Sequence, residues 1–289
     1  MYKILIVGAL SQELNVVKEH VKNLAIRNVK TSYLSTGVGN YNMILNLTRF
    51  LEQNSDFDFV VNVGVCGYVK LTQIKTPLNS PLPAKDWTRV RGDEDQLFNR
   101  GNLVIQIARI LNLSNNKELI IPKLFDFGEL SSIASSEVVV YDENDLNGES
   151  YVDMESYGFE KVCDSFSLPR IILKVPVDKV GDETRNFDFQ KAKTMLESID
   201  YKIFFEKIFN YLENTFSSHR NINEKEVFEK YKDYFGFTFS ETEIFKRFYY
   251  RYLALVNDDF DRYFDENKEL TKKVFLKNLE TYLEGFLIK

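Results

Sequence analysis

Three times in the first 67 residues an extended run stops at a glycine: Lys3–Val7 before Gly8, Ser32 to the Gly37/Gly39 pair, and Phe57 to Gly64 and Gly67. Ile4-Leu5-Ile6-Val7 has no polar alternation, so it suits a strand covered on both faces, as in a parallel sheet flanked by helices. Helix-period stretches separate these runs. Ser11 to about Asn23 puts Leu14, Val17 and Val21 on one face, and Asn40–Gln53 is expected to turn Ile44, Leu47 and Leu51 inward. The alternation predicts an α/β chain with a mostly parallel sheet.

The stretch Tyr151–Thr184 carries two acidic positions in apolar surroundings, Glu155 and Asp178. Between them the sequence predicts a helix over Ser156–Ser165, apolar at Phe159, Val162 and Phe166. A turn at Pro169 and a buried strand over Arg170–Val175 follow. The strand runs into Val177-Asp178 and so places Asp178 at its C-terminal end, the sheet edge where ligands bind in parallel α/β folds. By itself Asp178 reads equally well as a turn or cap aspartate. Glu13, in the first turn of its helix, reads equally as a favourable charge at a helix N-terminus.

The intervening chain is less regular. Tyr68–Gly101 contains Pro77, Pro81, Pro83, the single Trp87 and the mixed-charge run Arg89–Asp95, and reads as a long loop. Strands are expected over Asn102–Leu111, Leu119–Ile121 and Ile133–Val140. A long helix is expected from Phe189 to about Phe216.

With 289 residues, the chain has room for one large domain and a smaller appendage. Its net charge of −6 offers no basic field for nucleic acid. Cys66 and Cys163 lie in apolar segments and read as buried free thiols of a reducing compartment. No run of 18 apolar residues predicts a membrane span, and the N-terminus goes straight into a strand, so a cytoplasmic protein is expected. His20, His219 and two scattered cysteines have no metal-ligand spacing, and neither a metal nor another cofactor is expected. Nor do the two histidines suit a Ser/His/Asp set.

Residues 221–289 hold 17 Phe and Tyr, too aromatic for a disordered tail. Ser240-Glu241-Thr242-Glu243 reads as a capping box opening a helix to about Val256, and Asn223 and Thr271 as openings of two more. Lys246-Arg247 beside Tyr249-Tyr250 would suit stacking on a single strand. Twelve basic against 14 acidic residues, a net of −2, favours instead a helical cap packed on the main domain or on a partner subunit.

These motifs together resemble the nucleoside phosphorylase superfamily, most closely its hydrolase branch, the methylthioadenosine/S-adenosylhomocysteine nucleosidases. The residues that carry the resemblance are Gly8-Ala9 with Glu13 five residues after the glycine, Thr36-Gly37-Val38-Gly39, Asn62-x-Gly64-x-x-Gly67, Ser135-Ser136-Glu137, Met154-Glu155 and Asp178. It covers roughly residues 1–216, least closely over 68–132. It implies a three-layer α/β fold with a mixed, mostly parallel central sheet. Residues 1–216 would be the catalytic domain and residues 217–289 an all-helical C-terminal extension.

The resemblance also implies a reaction, hydrolysis of a purine nucleoside to free base and sugar. It makes Asp178 the acid at the purine N7, Glu13 the base on water and Thr36 a water-positioning residue. Met154 and Glu155 would bind ribose, Val139 and Val140 would meet the base, and the chain would work as a homodimer on a small-molecule substrate. The sequence departs from the family at Val177, where a serine is usual, and at Val139, where an aromatic ring is usual. Two alternatives remain: a phosphorylase on the same fold, or a nucleoside-binding regulatory protein without turnover.

Overall fold

The computed structural model describes residues 1–22, 24, 28–54, 57–69, 104–181, 184, 188–216, 224–256 and 259–285. Most of the expected 68–101 loop, with Trp87, and the expected helix start at Asn223 lie outside them.

Among the described residues eight strands form one mixed sheet: β1 (Tyr2–Gly8), β2 (Val29–Ser35), β3 (Phe59–Tyr68), β4 (Ile105–Asn112), β5 (Lys117–Ile120), β6 (Glu129–Ser135), β7 (Tyr151–Asp153) and β8 (Arg170–Lys179). The pairings β1–β2, β1–β3, β3–β8, β4–β6 and β6–β7 are parallel; β3–β7, β4–β5 and β4–β8 are antiparallel. β3, β8, β4, β6 and β7 thus close a ring back onto β3.

The apolar runs are buried on both faces, as their composition requires. Ile4 and Ile6 pack against α1 (Ser11–Lys22), α4 (Phe189–Glu197) and α5 (Tyr201–Phe216). Leu5 and Val7 pack against α2 (Asn40–Gln53) and α3 (Ser156–Ser165). Helices on each face of the sheet make three layers. Both cysteines are buried and free. No described helix is long and apolar enough to cross a membrane.

Several expectations are corrected. Leu47 and Leu51 of α2 are buried as expected, but Met43 takes the inward place expected of Ile44, which faces outward. The strand expected over Ile133–Val140 is Glu129–Ser135. Beyond it the Val138 N–H bonds the Ser136 hydroxyl at 3.2 Å, a local turn that outcompetes the β-propensity of three valines. The helix expected over Phe189–Phe216 breaks at Ser198–Asp200, where the Asp200 carboxylate accepts from Ile203 N at 3.0 Å and starts α5 afresh.

The C-terminal helices are α6 (Glu224–Phe235), α7 (Phe239–Leu255), α8 (Phe260–Asn267) and α9 (Lys272–Glu284). The capping box of α7 belongs to Thr238 and Glu241, not Ser240 and Glu243. Their aromatic residues make a separate core in which Tyr231 meets Phe264 at 4.7 Å and Phe235 meets Phe275 at 4.4 Å. Tyr249 is buried in this core, which removes its ring from stacking on a nucleic acid strand.

The end of α7 meets the sheet unit at a charged cluster. Arg170, first residue of β8, pairs with Glu160 in the buried interior, and Arg251 of α7 reaches Asp164 at 3.5 Å. An ion pair this buried is costly to form and costlier to break singly. Arg170→Met is therefore expected to lower unfolding free energy by about 3–5 kcal/mol, and joint replacement of Glu160 and Arg170 by apolar residues to recover most of it. Denaturant unfolding measures both; equal losses in the single and double variants would refute the pairing argument.

Candidate active site

The site is built where the strands end in glycine. Thr36 N and Gly37 N bond the carbonyls of Gly8 and Ala9, which stacks the two glycine turns. Gly39 has φ of 100°, a conformation that side chains disfavour, and its N–H donates to Glu155 Oε1 at 3.1 Å. Glu155 opens α3 but leaves the capping of that helix to Asp153, whose carboxylate accepts from Ser156 N at 3.0 Å and Ser156 Oγ at 2.6 Å. Met154 is half-buried between them.

Glu13 is 3% exposed. One carboxylate oxygen accepts from Leu10 N at 3.2 Å, the other from Val65 N at 3.3 Å. It therefore serves the helix terminus and also reaches across to the end of β3.

Lys174 is the residue the sequence reading passed over. It sits in β8 at 2% side-chain exposure, with Nζ 2.9 Å from Asp153 Oδ2 and 3.9 Å from Glu155 Oε2. A Cβ on Gly64 would lie 3.6 Å from both Lys174 Nζ and Glu13 Oε1, so these two side chains converge over a bare backbone. One cation thus pairs with Asp153 and Glu155 and acts on Glu13 at longer range. Burial works against the ammonium, but Asp153 and Glu155 outweigh it and raise its pKa, so it stays charged. Burial pushes Glu155 up to about 7, against the pull of Lys174. Glu13 is raised by burial too, with Lys174 again opposing. The signal was present as a lysine inside the otherwise apolar run Ile171–Val177.

Asn40, first residue of α2, ties the surrounding elements together. Its Oδ1 accepts from Gly158 N at 2.7 Å and Ser135 Oγ at 3.2 Å, and its Nδ2 donates to the Ser136 carbonyl at 3.3 Å.

The other expected site residues are placed unevenly. Asp178 lies at the C-terminal end of β8, where a bulge at Val177 shifts the register so that Asp178 pairs with Gly67. Val177 is fully buried in the core below α4 and α5. The Thr36 hydroxyl is buried and donates to backbone carbonyls of Gly8 or Gly37, at 3.4 and 3.2 Å, which leaves its lone pairs as acceptors. Val139 is exposed on the loop after β6, while Val140 turns into a small apolar cluster with Ala134, Leu146 and Val152.

No family profile matches the chain, and no curated protein matches it significantly in sequence. Solved structures do match in shape. Futalosine hydrolase of Helicobacter pylori aligns with a TM-score of 0.53 and 13% identity over 73% of this chain and 99% of that one. The 5′-methylthioadenosine/S-adenosylhomocysteine nucleosidase of Helicobacter pylori, complexed with a substituted pyrrolidin-3-ol, aligns with 0.53 and 13% over 72% and 98%. A variant of the same kind of nucleosidase from Chlamydia trachomatis gives 0.50 and 17% over 72% and 98%. The chain shares their fold. They are matched over nearly their whole length, and this chain has more than a quarter of its residues to spare.

The shared cation makes a testable statement about charge. Carbon-detected NMR titration should place the Glu155 carboxyl midpoint near 7. Lys174→Met should move it higher, because the ammonium holds it down. A midpoint in the usual carboxylate range near 4, or one indifferent to Lys174, would mean that Glu155 is better solvated than its burial implies.

Proposed function

We propose that this chain hydrolyses the N-ribosidic bond of a purine nucleoside, of the methylthioadenosine or S-adenosylhomocysteine kind, releasing free base and sugar. The observation that carries the reading is the convergence of buried Glu13 and Glu155 on the stacked glycine turns, beside the strand end that bears Asp178. The fold held in common with nucleosidases supports it.

In this reading residues 1–216 form the catalytic unit and 217–289 a helical extension. Asp178 protonates N7, so the C1′–N9 bond breaks with its electron pair passing to a neutral leaving base. Glu13 takes a proton from the water that adds to C1′. Its raised pKa brings it nearer the operating pH, which suits a general base. Thr36 accepts a hydrogen bond from that water. Glu155 accepts from the ribose hydroxyls, Met154 packs on the sugar, and Val139 with the backbone at Val140 borders the base. Val177 offers Asp178 no hydroxyl, and the backbone bulge sets where the acid stands at the strand end.

Water rather than phosphate is the favoured nucleophile because of charge. Among the described residues Lys174 is already outnumbered by Asp153, Glu155 and Glu13, so these groups offer no net positive field to a phosphate dianion; Arg89, Arg91 and Arg100 lie outside the described residues. Asn62 stands where the resembling phosphorylases carry an arginine, and its amide donates to the Val7 carbonyl.

A second copy of the chain is the proposed partner. Val38, Tyr41 and Leu45 expose apolar surface beside the glycine turns, and Val138 does so on the loop after β6. Such a patch next to a substrate site marks an interface. The two buried free thiols and a small-molecule substrate suit a cytoplasmic enzyme.

Asp178→Asn is expected to lower the rate of adenine release from methylthioadenosine by ~10²–10⁴-fold, with the far-ultraviolet dichroism unchanged. The wild-type rate should be the same in phosphate-free and phosphate-containing buffer. A sugar 1-phosphate product would promote the phosphorylase alternative, and no release from any purine nucleoside would promote the binding-protein one. Sedimentation should find a dimer that Tyr41→Glu with Leu45→Glu converts to a monomer; a wild-type monomer would remove the second copy.

A further inference from the structure

At the opposite edge of the sheet, a cavity of about 350 Å³ lies between the sheet unit and the C-terminal helices. Its position follows from the Tyr2 hydroxyl, at the start of β1, which bonds the Leu212 carbonyl near the end of α5. The glycine turns are at the other end of the same strands. The cavity is therefore separate from the nucleosidase site and does not rest on that reading.

Its apolar walls come from both units: Phe125 from the β5–β6 connection, and Leu253 and Leu255 from the end of α7. The remaining wall is the outer face of α5, where Lys207, Asn210 and Asn214 follow at helical spacing i, i+3 and i+7. Among the described residues none of these three side chains has a hydrogen-bond or ion-pair partner. Lys207 is half-buried and Asn210 and Asn214 are exposed at the rim, and no described acidic residue lines the space. An apolar cavity of this size at a junction between units, with a few convergent polar groups, has the make-up of a small-molecule site.

We propose that this cavity binds a small apolar carboxylate. The carboxylate accepts from Lys207 and the two asparagine amides, and the apolar body lies between Phe125 and the end of α7. Such a ligand would touch both units and hold α7 against α5, so its binding tightens their association. Lys207 favours a charged head, since its ammonium gains an ion pair and a charge-assisted hydrogen bond from an anion and not from a neutral group.

Octanoate is the probe, with octan-1-ol as its uncharged counterpart, titrated calorimetrically into the full-length protein. One octanoate per chain should bind, roughly tenfold or more tightly than octan-1-ol, as befits one charge-assisted contact. Lys207→Gln should abolish that preference while leaving octan-1-ol binding unchanged, and Leu253→Trp should fill the space and remove both. Lys207 is on a helix surface, so the first variant keeps the test decisive should Leu253→Trp not fold. Equal affinity for the two probes, octanoate binding unaffected by Lys207→Gln, or no saturable binding at millimolar octanoate would each overturn the proposal.

Discussion

The structure turns on a single buried ammonium. Lys174 sits in the middle of a strand covered on both faces, where an unpaired charge would cost several kcal/mol. Three carboxylates answer it, and each is fixed to a different piece of backbone. Asp153 caps α3, Glu155 holds the Gly39 N–H, and Glu13 joins the start of α1 to the end of β3. Satisfying one cation therefore positions the ends of four elements. Because the carboxylates outnumber it, burial still dominates at Glu13 and Glu155, whose pKa values stay raised.

β8 organises the molecule along its length. Its first residue, Arg170, belongs to the charged cluster that faces Arg251 of the C-terminal helices. Lys174 lies at mid-strand, and the bulge at Val177 sets Asp178 at the far end. The C-terminal helices thus grip the strand at the end away from the glycine turns. With α5 and the β5–β6 connection they border the cavity described above.

Where local sequence reasoning failed, a neighbouring polar group explains the failure. The valines after Ser136 have strand propensity, yet the Ser136 hydroxyl offers Val138 N a turn. The helical period runs on from Phe189 to Phe216, yet Asp200 caps a second helix within it. Thr238 displaces Ser240 as the cap of α7 because its side chain and that of Glu241 satisfy each other's backbone N–H groups. Each is a hydrogen bond of about 1 kcal/mol, enough to move a boundary but not to change an element's type.

The sequence by itself determined the order of strands and helices through residue 67, the two-faced burial of the apolar strands, the α3 helix from Ser156 to Ser165 and the helical character of the aromatic C-terminal segment. These depend on side-chain periodicity, which is a local property. It also marked Glu13, Glu155 and Asp178 by their places beside glycine turns and a strand end. Only the tertiary structure decided that Lys174, 19 residues beyond Glu155, shares its charge among Asp153, Glu155 and Glu13. A lysine in an apolar run is visible in one dimension, but its partners come from three other elements. Their distances are set by the packing of α2 and α3 on the sheet and by a one-residue bulge in register, which no local pattern encodes.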